Sequence, residues 1–361
     1  MNGERGFKMR RPLINYPSEE EMKRAQKVAR SHGRLGNRML DIYYAAILGH
    51  AVGDALGVPV EFMSREALSR EPVCEMMGYG TYPVPAGSWS DDTSMVLATL
   101  DSLRGGKVDY DGMMRNFALW VKENKYTPTD VMFDIGGTTA RAIEKYLTGE
   151  PAESCGCSDA YSNGNGSLMR ILPVALFLYA KRYPKKEAMR IIDKTSALTH
   201  AHPRSRIACG IFAFVLWELL RNPAKDSIRE GLCKASTYYA EEAELKTYEE
   251  RLIRRIGRVL AKGEKEENCP PMPLCEIKSS GYVVDTLEAV IWCLLTTNDY
   301  KSCVLTAVNL GEDTDTIGAI AGSLAAALYG ISSIPAPWFD ALQKREYIES
   351  LCLDSFESWR E

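Results

Sequence analysis

Histidine is scarce in this 361-residue chain, with four in all, and its ten cysteines include no C-x-x-C pair. A zinc ribbon is therefore excluded, because it needs a complete set of thiolate or imidazole ligands at short spacing. The tightest pair, Cys155-Gly156-Cys157, completes no ligand set and reads as two reduced thiols in a polar loop. Positive charge is lacking too. Lys and Arg number 44 against 48 Asp and Glu, a net charge of −4, which argues against a general nucleic-acid binder. The first residues have no apolar signal core, and the acids at Glu19, Glu20 and Glu21 do not suit a transit peptide. The longest small-and-apolar stretch, Ile317 to Ile331, contains three glycines and a serine and is short for a bilayer span. A cytosolic protein without membrane contact is expected. Alternating strand patterns, a G-K-[ST] phosphate loop, a dinucleotide fingerprint, a coiled coil and internal repeats are all missing, so the expectation is an all-α monomer.

What the chain does have is helical periodicity over most of its length, with 45% hydrophobic residues to build a core. Residues 1–38 read as an appended segment: a basic patch (Lys8, Arg10, Arg11), then Ser18-Glu19-Glu20-Glu21 opening a polar helix to about Ser31. Residues 39–361 read as one compact helical domain with a cleft formed by loops at helix ends. Its most polar part, residues 222–280, interleaves acids with bases and resembles surface helices and a loop more than a second domain. In the first apolar helix, Gly49 and Gly53 fall on one face with Ala45 and Ala46, small enough for a second helix to approach closely.

The chemistry concentrates in two acidic stretches far apart in sequence, Gly87-Ser88-Trp89-Ser90-Asp91-Asp92-Thr93 and Gly311-Glu312-Asp313-Thr314-Asp315-Thr316. Each precedes an apolar pattern of helical period, so each is a helix entrance lined with oxygen atoms. Taken singly, such an entrance needs no explanation beyond capping and the helix dipole. Taken together, Asp91, Asp92, Asp313 and Asp315 would set four negative charges in one pocket. That arrangement calls for cations, and carboxylates with hydroxyls select hard ions such as Mg²⁺ or Mn²⁺.

Three further features surround this pair. Glu61 follows Gly57-Val58-Pro59-Val60, just past a helix C-terminus, where an acid can face a cleft. Asn163-Gly164-Asn165-Gly166-Ser167 is a glycine-rich turn before Leu168 and Leu172, suited to a phosphate if it feeds a helix, with Arg170 as a nearby cation, though Asn-Gly pairs are also ordinary turns. Of the adjacent pair, His200 suits a ligand contact or local hydrogen bond, and His202, ahead of Pro203, a structural role.

In combination these stretches resemble the ADP-ribosylglycohydrolase family. The resemblance is carried by Gly53-Asp54-Ala55-Leu56-Gly57 with Glu61, Ser90-Asp91-Asp92-Thr93, Asp134-Ile135-Gly136-Gly137-Thr138-Thr139, Asn163 to Arg170, Thr199-His200 and Asp313-Thr314-Asp315-Thr316, in the family's order from about residue 40 to residue 335. It implies an all-helical domain with two divalent cations, Mg²⁺ or Mn²⁺, held by Ser90, Asp91, Asp92, Asp313, Asp315 and Thr316. Ser90 stands where the family often has Thr, and either hydroxyl can coordinate. It also implies substrate contacts from Asp134, Gly136, Thr138, Asn163, Gly164, Asn165, Gly166, Ser167, His200 and Tyr282. Asp315, Glu61 and Asp92 form the expected catalytic set. The implied activity is metal-dependent hydrolysis of the bond between ADP-ribose and an acceptor, a protein side chain or small molecule. The alternative on the same scaffold is an ADP-ribose binder or structural protein without turnover. An isoprenoid synthase is disfavoured because Asp91-Asp92-Thr93-Ser94-Met95 lacks the last acid of D-D-x-x-D.

Overall fold

The computed structural model describes residues 38–242 and 272–359. The appended segment with its expected polar helix, and the middle of the polar stretch, lie outside the described residues. Within them are fourteen α-helices: α1 (Arg38–Gly57), α2 (Arg65–Arg70), α3 (Asp91–Ser102), α4 (Tyr110–Glu123), α5 (Gly137–Leu147), α6 (Leu172–Ala180), α7 (Lys185–Ala197), α8 (Pro203–Arg221), α9 (Lys225–Glu241), α10 (Val283–Thr296), α11 (Tyr300–Val308), α12 (Thr314–Tyr329), α13 (Ala336–Ala341) and α14 (Arg345–Ser358). No strand forms among the described residues, only isolated bridges between Cys157 and His200 and between Gly164 and Tyr282. The all-α expectation holds. No described helix is long and apolar enough to cross a membrane.

Two central rods organise the rest. Every residue of α12 from Thr314 to Leu328 is buried, as a helix apolar on all sides must be. Its main partner is α1, and the contact is backbone on backbone. A Cβ at Gly53 would overlap the Gly318 carbonyl, one at Gly322 the Gly49 carbonyl, and one at Gly57 the backbone of Asp315. The glycines therefore set the distance between the helices, as the small face of α1 foretold. Tyr300 OH donates to the Gly49 carbonyl at 2.8 Å and Thr314 Oγ1 to that of Gly57 at 2.8 Å, so both ends of the seam are pinned. The C-terminal helix closes the other side of α1 through Tyr43 and Phe356, whose ring centroids are 5.6 Å apart.

One element differs from expectation. The helix after the glycine turn begins at Leu172, not Leu168. Pro173, inside its first turn, has a fixed φ and no N–H to give, which suits a helix start and not the interior of a longer helix.

Candidate metal centre and nucleotide cleft

The α1–α12 seam fixes the site. Because Gly57 lies against Asp315, the chain leaving α1 carries Glu61 to the mouth of α12. The connection is locked by reciprocal backbone hydrogen bonds, Phe62 N–H to Glu312 O at 2.7 Å and Glu312 N–H to Met63 O at 2.8 Å. Phe62 and Glu312 both adopt left-handed φ, 67° and 63°. Strain of this kind persists only where surrounding structure enforces it, and it is frequent beside functional sites.

The two acidic entrances meet directly. Thr316 Oγ1, on α12, donates to Asp92 Oδ2, on α3, at 3.1 Å across 224 residues of sequence. Ser90 caps α3, accepting from the Asp92 N–H, and its hydroxyl also reaches Asp92 Oδ2 at 3.1 Å. At the other entrance capping fails as an explanation. Asp313 occupies the N-cap position of α12 without a side-chain cap bond; its Oδ2 instead accepts from Asn165 Nδ2 at 2.6 Å. Oxygens of Glu61, Asp134 and Asp315 lie within 4.8 Å of one another, spaced as metal ligands could be.

No cationic side chain answers this cluster in the described hydrogen bonds. Glu61 Oε2, Asp92 Oδ1 and Asp315 Oδ2 are buried without a hydrogen-bond partner, an expensive state for an ionised oxygen. Burial first, and then the neighbouring acids, push the carboxyls of Asp91, Asp92 and Asp315 well above the ordinary carboxylate range. Burial with Asp134 and Asp313 nearby raises Glu61 to about 8. Four helix N-termini partly compensate, since α3, α5, α10 and α12 all begin at or beside the cleft. The donor set is all oxygen and fits a hard divalent cation.

Above the acids opens a cleft of about 440 Å³. Of the expected residues, Glu61, Asp91, Asp134, Gly136, Thr138, Gly164, Asn165, Gly166, His200, Asp313 and Thr316 line it. Ser90, Asp92 and Asp315 are buried and not among its lining residues. Asp134 joins the acids more closely than a place among substrate contacts suggested; its carboxyl is hydrogen-bonded with that of Asp91. Asn163, Ser167 and Tyr282 are not on the lining. Asn163 and Tyr282 form the backbone seam joining the glycine turn to the start of α10, with Val283 N–H bonded to Asn163 O at 3.0 Å. Ser167 turns inward and accepts from the Ser196 hydroxyl at 2.9 Å.

Of two single-residue readings, one changes and one stands. Arg170 adds no cation to the cleft: it is fully buried, donating to Thr195 O and Thr199 Oγ1 and lying over the Phe117 ring. His202 caps α8, accepting from the Arg204 N–H at 3.2 Å, in keeping with a structural role. The Cys157 loop is pinned to the backbone on either side of His200, and both thiols of the Cys-Gly-Cys pair are free and buried. Sequence reasoning overlooked Asp54 as part of the site. Its carboxylate accepts from Ser90 N–H at 2.9 Å, Thr93 N–H at 3.0 Å and Thr93 Oγ1 at 2.6 Å, and so holds the α3 entrance in place. A buried acid one turn before a helix end, with hydroxyl-rich Ser90-Asp91-Asp92-Thr93 to follow, was the available signal.

A larger cavity of about 1050 Å³ lies elsewhere, among Tyr43, Tyr183, Phe214, Trp217 and Trp359. Its charged lining is mostly basic (Arg182, Lys185, Lys234, with Glu218), and it shares no residue with the acidic cluster. Size alone does not make it the reactive site.

Comparison with known proteins agrees with the geometry. The family model for ADP-ribosylglycohydrolase matches residues 36–361. The chain is 32% identical over 320 residues to an ADP-ribosylarginine hydrolase, Tri1, of Serratia proteamaculans, covering 88% of this chain and 79% of that protein. It is also 32% identical to the ADP-ribosyl-[dinitrogen reductase] glycohydrolase of Rhodospirillum rubrum, covering 86% of this chain and 93% of that one. A solved structure of an ADP-ribosylglycohydrolase-related protein complex superposes with a TM-score of 0.68 at 31% identity, covering 89% of this chain and 99% of the other.

Proposed function

The chain belongs to the ADP-ribosylglycohydrolase family, and from that premise we propose that it hydrolyses the glycosidic bond between ADP-ribose and an arginine side chain of a modified protein. The choice of acceptor follows its likeness to ADP-ribosylarginine hydrolases at 32% and 33% identity. One observation carries the catalytic reading: the Thr316–Asp92 hydrogen bond joins two acidic helix mouths whose buried oxygens at Asp92 and Asp315 are left without partners.

In this reading Ser90, Asp91, Asp92, Asp313, Asp315 and Thr316 hold two divalent cations, Mg²⁺ or Mn²⁺, with Glu61 and Asp134 alongside. Bound there, the cations would supply charge neutralisation, orientation of ribose hydroxyls and a lowered pKa for a nearby water. The part of the glycine turn that lines the cleft, Gly164 to Gly166, receives the pyrophosphate, with Gly136, Thr138 and His200 around the rest of the nucleotide. Glu61 lines the cleft and an oxygen of Asp315 lies within 4.8 Å of it, and one of the two accepts a proton as water attacks the anomeric carbon. The carbon–nitrogen bond breaks, a carbon–oxygen bond replaces it, and the departing guanidine regains a proton. Positive charge developing on the ribose is stabilised by the surrounding carboxylates.

The test is incubation of purified protein with arginine-ADP-ribosylated protein, with chelator and after Mg²⁺ or Mn²⁺ is restored. Release of ADP-ribose that chelation abolishes and cation restores is the expected result. Tight binding of ADP-ribose with no release under any metal condition would leave a binder instead.

A further inference from the structure

Under the glycine turn, three consecutive buried side chains form a hydrogen-bonded row ending at the cleft. Arg170 and Thr199 are fully buried and His200 is 2% exposed. One Arg170 NH2 group donates to Thr199 Oγ1 at 2.8 Å, and the same Oγ1 lies 2.9 Å from His200 Nδ1. The directions of these bonds follow from the inventory of donors. A guanidinium has no acceptor, so the threonine oxygen must accept from Arg170. The single hydroxyl hydrogen then has His200 Nδ1 as its hydrogen-bonded acceptor. If Nδ1 carried a proton, that hydrogen would be stranded in a buried site, the costlier arrangement. Nδ1 is therefore bare. Burial, with Arg170 and then Arg141, also holds the ring neutral by pulling it down to about 3. The remaining proton sits on Nε2, which has no hydrogen-bond partner among the described residues. Nε2 faces the glycine turn, where a Cβ at Gly164 or Gly166 would lie 3.6 or 3.3 Å from it.

We propose that Thr199 and Arg170 are positioning residues that lock His200 as the neutral Nε2–H tautomer, so that the cleft presents a hydrogen-bond donor to an oxygen of the bound nucleotide. The row explains why a cation is buried at Arg170: its charge orients the Thr199 hydroxyl and opposes an imidazolium. It also gives Gly166 a reason, since a Cβ there would lie 2.8 Å from His200 Cε1 and crowd the ring. The identity of the ligand rests on the proposed function; the tautomer does not.

Long-range nitrogen–proton NMR of the imidazoles in the full-length, Mg²⁺-loaded protein reads the tautomer directly, with His200→Gln assigning the signal among four histidines. The Nε2–H pattern is expected, persisting to about pH 5 because the ring stays neutral there. Thr199→Val should mix the tautomers and raise KM about 10-fold with kcat within about 2-fold, roughly the loss of one hydrogen bond. Thr199→Ser should restore both readouts. An Nδ1–H signal in the wild-type protein, or a folded Thr199→Val with unchanged KM, overturns the proposal. If Thr199→Val does not fold, the wild-type tautomer and Thr199→Ser still decide it. An Nε2–H tautomer in a protein that releases no ADP-ribose refutes the proposed function and leaves the tautomer assignment standing.

Discussion

Asp54 and Asp315 are both buried carboxylates, one on each central helix, and the fold treats them oppositely. Asp54 receives three hydrogen bonds from the entrance of α3. Asp315 accepts from the N–H of Thr316 through Oδ1 and otherwise meets the carboxyl of Asp313, and its Oδ2 is buried without a partner. Burial and helix ends are common to both; what differs is whether the protein supplies donors. A fold that can answer one acid so fully leaves Asp92, Asp315 and Glu61 each with a buried oxygen that no protein donor reaches, and in the proposed reading cations answer them. Asp54 braces the α3 entrance, and Asp315 is left for the role proposed for it.

Exchange of each carboxylate for its amide breaks the comparison most sharply. Asp315→Asn removes the charge but keeps the shape, and should lower kcat/KM on arginine-ADP-ribosylated protein by about 10² or more, in the range of a lost acid–base or ligating group. Thermal stability of the chelated protein should hold or rise, because one unanswered negative charge is gone. Activity near wild type in Asp315→Asn would remove the residue from the catalytic set.

Metal removal extends the same contrast to pH. Glu61 sits at about 8 and Asp54 at about 6, both above their values in an unfolded chain. A raised folded pKa contributes stability at low pH that is lost as pH rises through it. Chelated protein should therefore gain thermal stability as pH is lowered from about 9 to 6.5, a window set by Glu61, with Asp91, Asp92 and Asp315, raised by burial and by one another, acting in the same sense. Below about 6.5 the buried imidazoles of His50 and His200, both lowered to about 3 by burial, act in the opposite sense. With Mg²⁺ present the upper slope should flatten, since cations answer the ionised forms. A melting curve in chelator that ignores pH over this window would mean that the acids are not crowded as described.

Asp54→Asn should separate structure from chemistry at smaller cost. An amide placed with its NH₂ toward Ser90 N–H or Thr93 N–H opposes donor to donor, so a loss of about 1–3 kcal/mol is expected in urea unfolding. Unlike any effect of Asp315→Asn, this loss should be equal with and without Mg²⁺. A loss seen only with the cation bound would make Asp54 a ligand and not a brace.

These contrasts show which parts of the site a sequence can reveal. The two acidic mouths were legible because acids and hydroxyls before an apolar helical pattern are a local signature. The close approach at Gly49 and Gly53 was legible because small residues shared one helical face. Asp54's service to Ser90 and Thr93 was not, since it depends on a contact 36 to 39 residues away that no periodicity encodes. Arg170 was misdirected for a similar reason. Position beside a glycine turn suggested the cleft, but the acceptors that claim its guanidinium come from α7 and the loop after it.

The smallest expected effect concerns capping, the plainest explanation for both acidic stretches. Ser90 caps its helix and Asp313 does not. Ser90→Ala should therefore cost about 1 kcal/mol in the chelated protein, the ordinary price of a lost N-cap, and Ser90→Thr should recover it. Asp313→Ala should shift stability by no more than about 0.5 kcal/mol. It gives up the Asn165 bond and its contacts with Asp315 and Thr316, but Asn165 keeps Thr286 Oγ1 at 2.9 Å, and a crowded negative charge disappears. Metal affinity, read by titration of the chelated protein, should follow the reverse order and fall further in Asp313→Ala. If Asp313→Ala unfolds the protein as readily as Ser90→Ala and leaves the affinity intact, the second acidic stretch is only a helix cap, and the two entrances are alike after all.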